Sequence, residues 1–178
     1  SGDYESATDN LNSEVQLTIL SSIVDRSRTL PQGIIDHSLS TFSSLLEANG
    51  YLFRQRRGQL MGQLLSFPLL CLVNYLTFKF CIPRDVPVKI NGDDIVFRST
   101  EGEADIWRKN VQKAGLVLSE GKTLVSHKFF SLNSCMFRAK DSCVAGVPFI
   151  RPKAVYGSGE HECEKISSLA PRFRSYAV

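Results

Sequence analysis

The ten residues VKINGDDIVF, at positions 88–97, constrain the fold of this chain most, because they predict one tight hairpin. Short β-branched runs flank a Gly-Asp pair, and glycine supplies the positive φ that a two-residue hairpin turn requires. The resulting register pairs Ile90 with Ile95 across the ribbon. Asp93 is then at the tip, and Asp94 begins the return strand.

Two adjacent carboxylates at one turn have an ordinary explanation and a chemical one. Asn, Gly and Asp are common turn residues, so a solvated surface turn accounts for them. Two like charges about 4 Å apart repel each other by roughly 1 to 4 kcal/mol, depending on the surrounding dielectric. A divalent cation removes that penalty, and hard carboxylate oxygens are the ligands that Mg²⁺ prefers. The hairpin tip is therefore a candidate metal site if another acid lies opposite.

Acids near the start of the chain are the candidates for that partner. In SGDYESATDNL, Asp3 ends a predicted strand, and Asp9 follows six positions later, before a helix. If the Asp3 strand lies beside the hairpin, Asp3 and Asp93 face each other across a two-metal site of the kind that catalyses phosphoryl displacement. Taken separately, Asp3 is also explained as a loop acid, and Asp9 as an acid at a helix N-terminus.

Length, charge and cysteine content are those of an ordinary globular chain. The 178 residues correspond to about one domain. A net charge of +3 permits a polyanionic partner without requiring one. The five cysteines form no C-x-x-C pair, which argues against a disulfide framework or a structural zinc site and favours a reducing compartment. The apolar run at positions 64–78 is short of the ~20 residues of a membrane span and predicts a buried helix.

Capping signals predict three helices. Ser13-Glu14-Val15-Gln16 reads as a capping box, and the helix that it begins ends near Asp25. Ser66 is predicted to cap a second helix. The buried stripe of that helix is predicted to contain Leu69, Leu72, Val73, Leu76 and Phe80. Thr100 to Glu103 is another capping box, and Gly115 stops the helix that follows.

The remaining segments complete an α+β pattern. Residues 26–57 are mixed, with a turn predicted at Pro31-Gln32-Gly33. Strands are predicted within positions 123–137 and 144–152, and a last helix over 159–169. With a hairpin in the middle, this order favours an antiparallel sheet with helices packed on one face.

Five strings in this order resemble motifs A to E of the palm domain of viral RNA-directed RNA polymerases. They are GDYESATD, GQLMGQLLSFPLLCLVN, NGDD, GLVLSEGKT and FFSLNSCMF. The likeness is greatest to the ourmia-like (botourmiavirus) and narnavirus branch, which is related to levivirus replicases, and it covers essentially the whole chain. It implies a polymerase palm with an RRM- or ferredoxin-like core over residues 1–178, as a piece of a larger right-hand polymerase. Residues from about 26 to 57 would be a fingers-side insertion, and those from about 140 to 178 the start of the thumb side.

The resemblance also implies a reaction and the residues that support it. The chain would catalyse RNA-directed nucleotidyl transfer with two Mg²⁺ ions, or with Mn²⁺ as the alternative, and release pyrophosphate. Asp3 and Asp93 would be the principal metal ligands, with Asp94 as a secondary ligand and the Tyr4 carbonyl as an additional one. Lys122 would donate a proton to the departing pyrophosphate, a general-acid role. Lys122 is also explained as an ordinary exposed lysine in a turn. Lys128 is the competing candidate for the general acid.

Four residues are implied to bind the nucleotide. Asp9 would favour ribonucleotides through the 2′-hydroxyl, Ser66 would join that network, and Gly62 would let the loop approach the nucleotide closely. Asn74 is eight residues beyond Ser66, which is ~12 Å along a helix and ~80° around it, so the two side chains cannot hold one hydroxyl. Asn74 is therefore open between a nucleotide contact and a hydrogen bond within the core.

A basic stretch is implied to contact RNA phosphates through Arg54, Arg56, Arg57 and Gly58, where the missing Cβ would let the loop approach the template closely. A solvated loop explains these arginines equally well. The implied partners are template and product RNA, ribonucleoside triphosphates, and the fingers and thumb of the same polypeptide, with no membrane span. The implied location is the host cell cytoplasm, and the 178-residue piece is expected to be inactive without the rest of the polymerase.

Two alternatives remain open at this point. A reverse-transcriptase palm is the nearer one, although Gly92 precedes the acid pair here, where such enzymes carry a hydrophobic residue, and Asp9 stands where they carry a bulky one. The other is an RNA-binding α+β domain without catalysis, which would stack bases on exposed aromatic residues of its sheet. Acids gathered at one end of the sheet argue against that alternative, because without metal they repel RNA.

Overall fold

The structure is a computed structural model that describes residues 1–119, 121–140 and 143–148. Its helices are α1 (Ala7–Asn10), α2 (Ser13–Val24), α3 (Gln32–Ser40), α4 (Ser66–Cys81) and α5 (Glu101–Val111). Its strands are β1 (Leu45–Ala48), β2 (Tyr51–Arg54), β3 (Val88–Asn91), β4 (Asp94–Phe97), β5 (Phe129–Leu132), β6 (Cys135–Ala139) and β7 (Val144–Val147). The α+β class predicted from the sequence is thus confirmed.

The strands form small antiparallel sheets, where the sequence predicts a single one. β1 pairs with β2, β3 with β4, and β6 lies between β5 and β7. Isolated bridges join Gly2 to Ile95 and Tyr4 to Leu118, so the first residues of the chain lie between β4 and the segment that follows α5. α4 contacts both α5 and β3. The extended segments that surround the β3–β4 hairpin are thereby brought side by side.

The hairpin has the register that its sequence predicts. Ile90 pairs with Ile95, and Asn91 with Asp94, which leaves Gly92 and Asp93 as the two turn residues. Gly92 has a φ of +63°, a value that side chains with a Cβ rarely adopt. The turn is therefore set by a local signal, and the acid pair is at its tip.

The α5 helix confirms the second capping box. The Thr100 hydroxyl accepts a hydrogen bond from the Glu103 backbone N–H at 3.4 Å, and the Glu103 carboxylate accepts one from the Thr100 backbone N–H at 2.7 Å. Glu103 also accepts hydrogen bonds from Arg84. A short 3₁₀ turn extends the helix to Gly115, whose φ of +84° ends it as predicted.

Three other local predictions are wrong. The cap of α2 is Asn12 and not Ser13, since the Asn12 side chain accepts from the Glu14 backbone N–H at 2.9 Å. Ser66 is the first residue of α4 and not its cap, because its hydroxyl donates to the Leu60 carbonyl at 2.6 Å. The turn predicted at Pro31 is the beginning of α3, where Pro31 takes the N-cap position.

The buried face of α4 also differs from the predicted stripe. Leu69 and Val73 are buried as expected, but Leu76 and Phe80 are 45% and 77% exposed. The buried apolar residues of the helix are Leu69, Leu70, Val73, Phe78 and Cys81. The helix is apolar on nearly every face, so the spacing of its apolar residues does not select the buried side. The β3–β4 hairpin and α5 do, because they pack against α4.

The main core lies between the first residues, the hairpin and the helices α4 and α5. Its members include Tyr4, Phe78, Ile95, Trp107 and Leu116, all nearly or fully buried. The Phe97 ring lies 5.0 Å from both the Phe78 and the Trp107 ring centroids. This core holds the first strand-like segment against the hairpin.

Some predictions fall on parts of the chain that the structure does not describe. The helix over 159–169 and most of the thumb-side region from about 140 to 178 lie outside the described residues, and the division into fingers-side and thumb-side parts stays a prediction. Within the described ranges, no helix combines the length and the apolar character that crossing a membrane requires.

Candidate active site

Side chains alternate between the two faces of an extended segment, and this alternation places two of the predicted acids next to each other. Gly2 and Ile95 are directly opposed and exchange both backbone hydrogen bonds, at 2.8 and 3.1 Å. In this antiparallel register the next pair is Asp3 with Asp94. Ile95 and its neighbour Tyr4 point into the core, so Asp3 and Asp94 stand on the opposite face of the ribbon. Asp93 is adjacent, in the turn.

The Asp3 segment is held from its other side as well. The Asp3 carbonyl accepts a hydrogen bond from the Ser119 backbone N–H at 2.9 Å, and the Glu5 N–H donates to the Val117 carbonyl at 2.8 Å. Asp3 therefore lies between two extended neighbours. Because carbonyl directions alternate along such a segment, the Tyr4 carbonyl points toward the hairpin.

Lys122 lies beside the acids, as the sequence predicts. Its Nζ is 3.1 Å from Asp3 Oδ2. The turn that carries it is shaped by the Ser119 carbonyl, which accepts from the Lys122 and Thr123 backbone N–H groups. The hydrogen bond and charge of Asp3, with a smaller contribution from Asp93, raise the pKa of Lys122 above its ordinary 10.5. The lysine is thus a fixed positive charge at this site.

Asp94 experiences the negative charges around it. Desolvation is the main cause that raises its pKa above the ordinary 3.8, and the charges of Asp93 and Asp3 add to it. The backbone N–H of Asn133 opposes this rise by donating to Asp94 Oδ2 at 2.8 Å. These carboxylates repel one another unless a cation lies among them. Such repulsion is what the interpretation of the hairpin tip as a metal site requires.

Two residues of the site carry no signal in the sequence. Ser119 acts through its backbone, by holding both the Asp3 segment and the Lys122 turn. Asn133 lies in the β5–β6 turn, with a φ of +52°, and its side chain bonds to Asn91 while its N–H bonds to Asp94. Both contacts join segments far apart in sequence, and neither follows from residue type.

Asn74 is fully buried, and both ends of its side-chain amide are used inside the protein. Its Oδ1 accepts from the Tyr4 hydroxyl at 2.8 Å, and its Nδ2 donates to the Gly92 carbonyl at 3.2 Å. The direct nucleotide contact predicted for Asn74 is not available in this arrangement. Of the two interpretations left open by the sequence, the structure favours the core hydrogen bond.

Gly62 and Ser66, in the loop before α4 and at the start of that helix, have different surroundings. Ser66 is 8% exposed, and its bond to the Leu60 carbonyl shapes the loop. Gly62 has a φ of +93°, and apart from its two chain neighbours no atom of the described residues lies within 4 Å of where its Cβ would be. Gly62 therefore borders open space, whereas Ser66 faces the protein.

Gly58 has a different reason to be glycine from the predicted one. A Cβ at this position would lie 2.6 Å from the Thr8 carbonyl oxygen and 2.8 Å from that of Asp9. The neighbour that comes so close is the protein's own helix α1, and not RNA. Gly58 N–H also donates to the Leu11 carbonyl at 2.9 Å, so this loop is fastened to α1. Asp9 itself is exposed on α1.

The three arginines are exposed along this same loop and its approach. Arg54 donates to the Ser43 hydroxyl at 2.9 Å, and Arg57 Nε donates to the Asn10 carbonyl at 3.1 Å. Arg56 and Arg57 line a cavity of about 370 Å³ together with Lys113. The cavity gathers positive charge next to α1, although Glu14 also lines it.

The donor set suits a hard divalent cation, but the structure does not show a coordination site. Carboxylates of Asp3, Asp93 and Asp94 and a backbone carbonyl are the oxygens that Mg²⁺ takes. Within residues 1–119, 121–140 and 143–148, no three side chains among His, Cys, Asp and Glu are gathered closely enough to hold an ion. In this arrangement the Asp3 carboxylate forms an ion pair with the Lys122 ammonium.

Comparison with known proteins finds a similar sequence and similar folds. No family model matches the chain. The RNA-dependent RNA polymerase of Ourmia melon virus (isolate Melon/Iran/VE9) is 32% identical to this chain. The alignment is 187 residues long, with its gaps, and covers 93% of this chain. The chain spans only 22% of that relative's length.

The fold is similar to that of an apo telomerase from Candida tropicalis, truncated from the C-terminal domain. The TM-score is 0.56 at 18% identity, over 82% of this chain and 34% of that one. At this identity the likeness concerns the fold alone. The sequence match carries the identification: the predicted relationship to viral RNA-dependent RNA polymerases is confirmed over nearly the whole chain.

Proposed function

We propose that this chain is the catalytic palm of an RNA-directed RNA polymerase. In the reaction, the 3′-hydroxyl of a primer or nascent RNA attacks the α-phosphate of a ribonucleoside triphosphate, and pyrophosphate leaves. One observation carries the proposal: Asp3 and Asp94 are in register on the polar face of the ribbon, beside Asp93 at the hairpin tip. The order of the five motifs and the viral relative support it.

The acids are proposed to hold the metal. Asp3 and Asp93 would be the main ligands, with Asp94 and the Tyr4 carbonyl as further donors, and two Mg²⁺ ions are the expected complement, with Mn²⁺ as the alternative. When bound, such ions stabilise the charge of the attacking and leaving oxygens. The backbone holds these oxygens in place, through the Gly2–Ile95 pair on one side of the Asp3 segment and Ser119 on the other.

The nucleotide is proposed to lie between α1 and the loop before α4. Asp9 is exposed on α1, and its carboxylate can accept a hydrogen bond from a ribose hydroxyl. Gly62 leaves space for close approach of the sugar or base. Ser66 supports this loop through Leu60, so we assign it to shaping the loop.

Lys122 is proposed as the proton donor to pyrophosphate. Lysine is protonated at neutral pH, and the Asp3 carboxylate, 3.1 Å away, holds the ammonium at the site and raises its pKa further. As the acid form it can give its proton to a departing phosphate oxygen. The arginines at 54, 56 and 57 are proposed to contact RNA phosphates, and they are exposed as such contacts need.

The direct test is Asp93→Asn in the full-length polymerase. We expect RNA-templated ribonucleotide incorporation to fall by at least about a hundredfold, since the substitution removes a charge but keeps the size of the side chain. Asp25→Asn is the matched control, because Asp25 is an exposed acid at the end of α2. Retained incorporation in the Asp93 variant would contradict the proposal.

The same assay separates the alternatives. A reverse-transcriptase palm would prefer deoxyribonucleotides, so the wild-type enzyme is offered both nucleotide classes in separate reactions. A non-catalytic RNA-binding domain would bind RNA without divalent ions and incorporate nothing. Mg²⁺-dependent RNA binding that is lost in Asp93→Asn supports the catalytic assignment.

A further inference from the structure

A buried amide links the two halves of the candidate active site. Asn74 lies on α4 and is fully buried. It contacts Tyr4, the residue after Asp3, and Gly92, the residue before Asp93. One side chain therefore connects the two segments that carry the principal acids.

The orientation of this amide follows from the chemistry of its partners. The Gly92 carbonyl can only accept, so the Asn74 Nδ2 group must face it, at 3.2 Å. Oδ1 then faces the Tyr4 hydroxyl, which donates at 2.8 Å. A tyrosine hydroxyl has one proton to donate, which is the proton that this bond needs.

The helix holds the hairpin tip at two points. Three residues before Asn74, the Cys71 sulfur accepts a hydrogen bond from the Gly92 backbone N–H at 3.2 Å. Residues three apart lie on one face of a helix, so Cys71 and Asn74 face the turn together. Both the N–H and the carbonyl of Gly92 are thus bound to α4, and the turn cannot shift without breaking one of these bonds.

We propose that Asn74 is a positioning residue that sets the spacing between Asp3 and Asp93. It does so by tying the Tyr4 hydroxyl and the Gly92 carbonyl to one rigid helix. This inference rests on the proposed function, because the spacing matters only if both acids hold metal. Mg²⁺ requires near-ideal octahedral geometry, so a small change in that spacing weakens its binding.

The test uses the full-length polymerase with Asn74→Leu, which has similar volume but neither donor nor acceptor. We expect kcat to fall by about tenfold to a hundredfold, as for small misplacements of catalytic groups. We also expect the Mg²⁺ dissociation constant, measured by calorimetry on the enzyme without nucleotide, to rise about tenfold. The nucleotide KM should change by less than about threefold, because Asn74 is buried and does not touch the nucleotide.

A second variant and a control keep the test decisive. Tyr4→Phe keeps the ring in the core and removes only the hydroxyl, so it should move kcat and the Mg²⁺ dissociation constant in the same direction by a smaller factor. Val24→Ala removes buried atoms from a separate cluster around α2 and α4, and controls for lost stability. It should lower the melting temperature without changing the Mg²⁺ dissociation constant.

Each outcome has a distinct meaning. A raised nucleotide KM in Asn74→Leu, with kcat and the Mg²⁺ dissociation constant unchanged, would overturn the inference in favour of a direct nucleotide contact. Wild-type kinetics and Mg²⁺ binding in Tyr4→Phe would overturn it even if Asn74→Leu does not fold. The proposed function stands or falls separately with Asp93→Asn, which lacks activity if the acids are catalytic, whatever Asn74 does.

Discussion

At the scale of single residues, the site combines a cluster of acids with one lysine that partly neutralises them. The Lys122 ammonium is 3.1 Å from Asp3, and its pKa is also affected by Asp93. The ammonium therefore occupies a position that a metal ion would compete for. The proposal therefore gives Lys122 two effects that can be measured separately: competition with metal for Asp3, and donation of a proton.

Lys122→Leu in the full-length polymerase tests both effects. We expect kcat to fall by about a hundredfold, the lower end of general-acid contributions. The Mg²⁺ concentration for half-maximal activity should fall as well, because the ammonium no longer competes for Asp3. Steady-state kinetics over a Mg²⁺ titration measures both quantities.

The pH dependence of this competition follows from the raised pKa of Lys122. The ion pair is fully formed below the ordinary lysine pKa of 10.5 and is lost only as the pH rises through the higher value in the folded protein. The difference in Mg²⁺ requirement between Lys122→Leu and the wild type should therefore be constant between pH 7 and 9. Lys128→Leu is the control, since Lys128 is an exposed lysine just before β5. A loss of kcat in that variant, and not in Lys122→Leu, would move the proton donor to Lys128.

At the scale of elements, local signals predicted the Gly92-Asp93 hairpin turn and the Thr100 cap correctly, whereas the turn predicted at Pro31 is wrong. The hairpin register and the Thr100 capping box depend on neighbours within four residues. Ser66 has an equally good cap signal, but the Leu60 carbonyl takes its hydroxyl. The buried side of α4 depends on which elements pack against it, and a helix that is apolar nearly all round does not encode that choice.

Thr100→Ala tests the contribution of the capping box to stability. The free energy of unfolding should fall by about 1 kcal/mol, because the Glu103 backbone N–H loses its partner at the helix start. Denaturant unfolding of the same chain measures this change, and Ser99→Ala is the neighbouring control. Equal stability of Thr100→Ala and the wild type would contradict the role of the cap.

The Glu103 carboxylate at the start of α5 also stabilises the fold, over a definite pH range. Hydrogen bonds from Arg84, and then from the Thr100 backbone N–H, lower the pKa of Glu103 from 4.5 to about 2. The stabilisation from a lowered carboxyl pKa is present above 4.5 and is lost as the pH falls through the value of about 2 in the folded protein. The start of α5 is therefore stabilised throughout the neutral range.

At the scale of the whole molecule, the chain corresponds to 22% of the length of its viral relative. The sequence predicted which segments carry the acids, because five ordered motifs cover the chain. The sequence did not predict that Asn74 connects the two acid-bearing segments, since that contact joins residues separated by 70 and by 18 positions. Such contacts depend on the packing of α4 against the hairpin, which no local pattern specifies.

The purified 178-residue chain is predicted to incorporate no nucleotide under conditions in which the full-length polymerase is active. We propose that parts of the polymerase outside the 22% that this chain matches also hold template and triphosphate, so the contacts within this chain alone do not position the reactants. A primer-extension assay on the two proteins at equal concentration measures this, after circular dichroism confirms that the short chain is folded. Incorporation by the short chain that disappears in its Asp93→Asn variant would contradict the prediction.

Because Gly2 pairs with Ile95, the position of the Asp3 carboxylate depends on how the core residues on the other face of this segment pack. Adding a single residue between Gly2 and Tyr4 would put the segment out of register with one of its two neighbours and turn either Asp3 or Tyr4 to the wrong face. Length changes in this strand should therefore be excluded among functional variants, even where substitutions are accepted. A library of one-residue insertions across the first five positions, selected for replication, should recover none between Gly2 and Tyr4.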